Sequence, residues 1–148
     1  MIHVETEIPF PQNLLEEAAR AALEHESEPL ESELSIILAD DARLHELNLN
    51  YLGIDASTDV LSFPASETDP ETGARYIGDI LISVPRAQAQ AEAAGHAVEA
   101  EVQLLVVHGV LHLLGHDHAR AQEKARMWKA QAEILERLGL GHLQIREE

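Results

Sequence analysis

The sequence predicts an α+β fold: a single domain over residues 1–148, with a mixed sheet of about four strands packed against about five helices. Three observations predict it. Short apolar or alternating runs and stretches of helical spacing follow one another in the order β α β α β β α α α. A chain of 148 residues that is 45% hydrophobic can bury one sizeable core, and no linker divides it. One run, Val102 to Leu114, is almost wholly apolar and reads as a buried helix at the centre.

The chain opens with Ile2, Val4, Thr6 and Ile8 alternating against His3, Glu5 and Glu7, the period of a half-buried strand with His3 pointing outward. Pro9 and Pro11 end it. Leu14, Leu15, Ala18, Ala19, Ala22 and Leu23 then recur at helical spacing. Leu34 to Ala39 is a short apolar strand, and Asp40 or Asp41 can cap the helix that follows. That helix turns Leu44, Leu47 and Tyr51 inward and leaves His45 on its surface.

Val60 to Phe63 is a strand, and Pro64 marks its end or an edge position because it cannot donate to a ladder. A polar connection is expected over residues 66–75, then a strand from Tyr76 to Val84 buried on both faces. Pro85 starts a helix with Ala87, Ala91 and Ala94 inside. The apolar helix runs from about Val98. A last helix, about Ala119 to Leu138, carries Ala121, Ala125, Trp128, Ala132, Leu135 and Leu138 as its apolar stripe. Trp128 fits the core better than a base-stacking platform.

The chain has no cysteine, so disulfides are excluded, and no apolar run reaches transmembrane length. With no signal peptide apparent, a cytoplasmic protein is expected. The net charge of −17 is uneven: residues 1–74 hold 17 acids and two bases, whereas residues 75–148 hold ten acids and eight bases. An acidic N-terminal half repels nucleic acid and would confine binding to the other face.

Four of the nine histidines lie in the string HGVLHLLGHDH at residues 108–118. His108 and His112 are four apart on the apolar helix, so they share a face and can grip one metal ion. Gly115 can adopt positive φ, end the helix and turn the chain back. Both His116 and His118 are candidates for a third ligand. Were the helix to continue, His108, His112 and His116 would span roughly 12 Å, too far for bonds of about 2.0 to 2.1 Å to one zinc ion. A turn at Gly115 instead favours His118. Three histidines without a fourth ligand leave an open position, the arrangement of a catalytic site.

The spacing is similar to the metzincin zinc signature, except that Gly109 replaces the glutamate that serves metallopeptidases as general base. The same string resembles more closely the signature of the YbeY family, bacterial zinc-dependent endoribonucleases of ribosomal RNA maturation, whose usual form is HGxLHLxGYDH. TDVLSFP at 58–64 and GDILIS at 78–83 match in order and spacing, so the resemblance covers nearly the whole chain. It implies the same α+β arrangement, one Zn2+ per chain on His108, His112 and His118, and ribosomal RNA as substrate, with the ribosome or its proteins as further partners. His116 stands where the family usually has tyrosine. Leu52 stands where it commonly has an arginine for RNA binding or cleavage.

Other residues have two readings each. Glu101, seven before His108, is either a carboxylate orienting a ligand or a surface acid. Asp117 either orients an imidazole or caps the turn. Arg120 and Lys124, nearest the motif among the bases of the last helix, are candidate phosphate contacts or part of a solvated face. The competing functions are a metallopeptidase, disfavoured by Gly109, and a non-catalytic zinc-bearing ribosome-assembly protein.

Overall fold

The computed structural model describes residues 2–29, 31–117 and 119–143. The elements follow in the expected order: β1 (Ile2–Thr6), α1 (Gln12–His25), β2 (Glu33–Ala39), α2 (Asp41–Leu52), β3 (Val60–Thr68), β4 (Arg75–Ser83), α3 (Val84–Ala94), α4 (Val98–Leu113) and α5 (Ala121–Arg137). The four strands form one mixed sheet in the order β1-β2-β4-β3. β1 and β4 flank β2 in parallel, and β3 runs antiparallel along the outer side of β4.

Alternation along the inner strands divides the interior in two. Leu34, Ile36, Leu38, Ile80 and Ile82 face the larger core shared with α1, α3, α4 and α5. Ile37, Ala39, Leu61 and Leu81 face the opposite side, where Leu44 and Leu47 of α2 cover them. Thirteen of the sixteen residues of α4 are buried, because the helix is enclosed by the sheet on one side and by α1, α3 and α5 on the others. A helix surrounded in this way needs apolar residues all round, which accounts for its sequence.

Four expectations need correction. The strand of Val60 continues through Pro64 to Thr68, and most of the expected polar connection is the β3–β4 hairpin. Proline is accommodated because β3 is an edge strand with an irregular register between Pro64 and Glu67. Tyr51 is 70% exposed, and the inner face of α2 passes through Asn48 instead. The Asn48 amide donates to the Ala56 carbonyl at 2.8 Å, satisfying a polar group that an apolar count overlooks. Ala94 is exposed, lying in the last turn before the Gly95 cap.

The stripe of α5 is the fourth correction. Ala121, Ala125 and Ala132 are exposed, whereas Met127, Ala130, Gln131, Ile134 and Leu135 are buried. Met127 and Ile134 bury far more apolar area than alanines, so the helix turns them inward and carries Gln131 with them. Trp128 is half-buried against the core, as expected.

Candidate metal centre

The last two turns of α4 place His108 and His112 on one face, directed at the inner flank of β3. His108 is 8% exposed and His112 more accessible. Their rings meet edge to face with centroids 4.7 Å apart, and their Nε2 atoms are separated by 3.1 Å. Both imidazoles open into a cleft of ≈ 280 Å³ walled by Leu52 at the end of α2 and by Val60, Leu61, Ser62 and Pro64 of β3. Among the described residues, no carboxylate lines it.

The His108 ring is fixed from behind. Its Nδ1–H donates to Gln131 Oε1 at 2.9 Å, and Trp128 lies edge-on with ring centroids 6.0 Å away. An amide oxygen only accepts, so this bond puts the His108 proton on Nδ1 and turns the Nε2 lone pair into the cleft. This is the arrangement of a metal-binding histidine, in which an outer partner selects tautomer and orientation. Gln131 escaped sequence reasoning because it sits in an apolar stripe. Its spacing from Met127 and to Ile134 and Leu138 was the available signal.

Gly109 faces the sheet. A β-carbon there would come within 2.8 Å of Ile80 Cγ2 and 3.1 Å of Cδ1. Close contact between α4 and β4 requires the hydrogen side chain, and the position that carries glutamate in metallopeptidases has no room for one. The Ser62 hydroxyl, 3.4 Å from the Gly109 carbonyl, links β3 to the same turn.

The helix ends as the glycine predicts. Gly115 has φ 98°, its N–H donates to His112 O at 3.0 Å, and the His116 N–H donates to Leu111 O at 2.9 Å. This pair of bonds closes the helix in a Schellman turn and reverses the chain. His116 points away from the paired histidines and bonds Glu26, 90 residues earlier in the chain. His118 lies outside the described residues. Among the described residues, no group of three or more His, Asp or Glu side chains is arranged to hold a metal ion.

The remaining candidates scatter. Glu101 is fully buried rather than a surface acid, and His96 Nε2 lies 2.7 Å from its carboxylate. Asp117 is exposed and borders a separate depression of ≈ 150 Å³ with His116, Glu123 and Arg126. The Arg120 side chain is 85% exposed and 3.6 Å from Glu123. Neither Arg120 nor Lys124 lines the cleft.

On the far side of the cleft wall, Asp41 joins α2 to β4, α3 and the loop before β3. Arg86 grips it through two bonds of 3.0 and 3.2 Å, and the hydroxyls of Ser57 and Ser83 donate at 2.6 and 3.1 Å. The Arg86 bonds, followed by that of Ser57, hold the Asp41 carboxyl well below the usual carboxylate range.

Comparison with known proteins adds a lineage to this geometry. The family model described as Endoribonuclease YbeY matches residues 3–139. A protein of that name from Pelotomaculum thermopropionicum is 44% identical over 130 residues, covering 86% of each chain. Another from Roseiflexus sp. is 46% identical over 133 residues, covering 86% of this chain and 83% of its own. A Thermotoga maritima protein solved in solution superposes with a TM-score of 0.60 at 25% identity, covering 100% of this chain and 99% of its own.

Proposed function

The chain belongs to the endoribonuclease YbeY family, and from that premise we propose that it is a zinc-dependent, single-strand endoribonuclease acting in ribosomal RNA maturation and ribosome quality control. The observation that carries the reading is the convergence of two imidazole Nε2 atoms, 3.1 Å apart, on a cleft bordered by a strand edge. Two nitrogens bound to one tetrahedral zinc at about 2.0 to 2.1 Å lie about 3.3 Å apart, so the described pair fits the ion. His108, His112 and His118 would hold one Zn2+ per chain. When bound, the ion supplies a Lewis acid and a water whose pKa lies near 7.

The chain's own groups prepare that site. With the His108 proton on Nδ1, His112 Nε2–H donates to the His108 Nε2 lone pair. Moving that proton to Nδ1 of His112, with no net change in charge, leaves two Nε2 lone pairs aimed at one point. Gln131 keeps His108 from turning, so less reorganisation is needed. Among the described residues, the cleft lining of apolar groups, the Ser62 hydroxyl and imidazoles places no fixed negative charge against a phosphate, despite the acidic surface elsewhere. The edge of β3 forms one wall along which an extended strand can lie.

Peptide hydrolysis is the weaker reading because Gly109 is packed on Ile80 and supplies no base. RNA and the ribosome are the expected partners, in the cytoplasm. No described helix is long and apolar enough to cross a membrane.

The test is cleavage of a single-stranded ribosomal RNA fragment by zinc-replete protein beside His112→Ala purified identically. Cleavage by the unaltered protein alone is expected. Equal cleavage by both would contradict the assignment. No cleavage by either, with zinc bound to the unaltered protein, would favour a non-catalytic role in ribosome assembly.

A further inference from the structure

α4 stops at Leu113, and its closing turn holds Gly115 and His116 by their backbone N–H groups. The His116 side chain is held separately, from the end of α1. The end of α1 is also a Schellman turn, with Ser27 N–H donating to Glu24 O at 3.1 Å and Glu28 N–H to Leu23 O at 2.9 Å. The residue in left-handed conformation here is Ser27, at φ 57°, where glycine would be free of strain. A serine held in that region requires surroundings that over-determine the turn.

The surroundings are Glu26 and its partners. One carboxylate oxygen takes a bond from His116 Nε2 at 2.5 Å, and the other takes one from His25 Nδ1 at 2.7 Å. His25 Nε2 in turn lies 3.5 Å from Glu133 of α5, and Arg137 of α5 bonds Glu24 at 3.2 Å. Glu26 is 19% exposed and His116 13%. Burial pushes the Glu26 carboxyl up, but the bonds from His116 and His25 outweigh it and hold it below its ordinary value. At neutral pH the tie is therefore between a carboxylate and imidazole N–H groups.

We infer that Glu26 is a positioning residue for the metal centre: through His116 it anchors the 115–117 loop, the segment that precedes the expected third ligand, His118. The inference rests on the zinc reading. α5 then braces both arms of the motif, Gln131 holding His108 directly and Glu133 supporting the loop through His25 and Glu26.

Zinc affinity, read by competition with a chromogenic chelator, tests it, together with amide hydrogen exchange at residues 115–117 in zinc-free protein. Glu26→Ala and His116→Phe should each weaken zinc binding by about tenfold and speed loop exchange. The double variant should lose no more than either single one, because both cut the same tie. His116→Tyr, whose hydroxyl can donate to Glu26, should stay within about threefold of the unaltered protein. Arg137→Ala cuts only the outer staple between α1 and α5, and should change affinity by less than about twofold. Unchanged affinity and exchange in Glu26→Ala would overturn the inference, as would additive losses or an equal loss in Arg137→Ala. An unaltered protein that binds no zinc would contradict the zinc reading itself, and faster loop exchange in zinc-free Glu26→Ala would still reveal the anchor.

Discussion

The floor and the rim of the cleft are both built largely from apolar residues, yet they are organised in opposite ways. On the floor, His108 is buried, bonded to Gln131 and packed against Trp128 on a helix enclosed by the core. On the rim, Leu52 is 53% exposed, and its chain neighbours Leu49, Tyr51 and Ile54 are 45 to 70% exposed. Leu52 meets the same cleft as His108, so the contrast spans one side chain to the next. The floor spends its packing on fixing two ring orientations. The rim leaves apolar surface in solvent, with Tyr51 touching Phe63 of β3 edge to face. Changes to the floor should therefore alter metal binding and chemistry, and changes to the rim should alter only how a strand engages.

The largest effect separating the two is expected at His112. His112→Ala removes a proposed ligand and should lower RNA cleavage by more than about a hundredfold, with zinc content falling in parallel. Gln131→Leu keeps the volume but leaves the buried His108 Nδ1–H without its acceptor. Zinc affinity should fall about 10- to 100-fold and stability by about 1 to 3 kcal/mol, measured by chelator competition and urea unfolding. A zinc affinity equal to that of the unaltered protein would show that the floor is not preorganised by α5.

Asp41, behind the rim, sharpens the comparison in a different variable. Its folded-state pKa is depressed, so its contribution is complete above the unfolded carboxyl's pKa of about 3.9 and is lost as pH falls toward the folded value. With its side chain 41% exposed, Asp41→Asn should cost only about 1 kcal/mol at pH 7. The difference from the unaltered protein should shrink at pH 3. Urea unfolding at the two pH values checks this, and a difference that grows in acid would contradict the assignment.

Leu52→Arg is the smallest expected change. It should leave zinc affinity untouched and steepen the dependence of log RNA affinity on log salt by about one unit. A shift in zinc affinity would erase the distinction between floor and rim.

Much of this organisation was legible in the sequence because it depends on local signals. The order of nine elements, the buried α4, a cap at Asp40 or Asp41 (Asp40 in the structure) and the turn at Gly115 all follow from periodicity, capping preference and residues with restricted or permissive backbones. Where apolar size and polar satisfaction compete, the pattern misled. On α5 a row of alanines mimicked the inner stripe, while Met127 and Ile134 set the true one. On α2, Asn48 took the inner place assigned to Tyr51, because its amide closes the following loop. At the site, the His108–His112 pairing was legible from spacing, and the resemblance to the family added its setting. Gln131 and Glu26 were not, since each meets its histidine through tertiary folding, at separations of 23 and 90 residues. His118, the expected third ligand, lies outside the described residues.

RNA cleavage by this chain is proposed to depend on one ion held by the paired histidines. The most direct test of that dependence strips the protein with a chelator and returns zinc in substoichiometric steps while cleavage of a single-stranded ribosomal RNA fragment is followed. Activity should rise in proportion to added zinc and level off near about one equivalent per chain, with His112→Ala remaining flat throughout. Full cleavage by the stripped protein, or by His112→Ala, would contradict it.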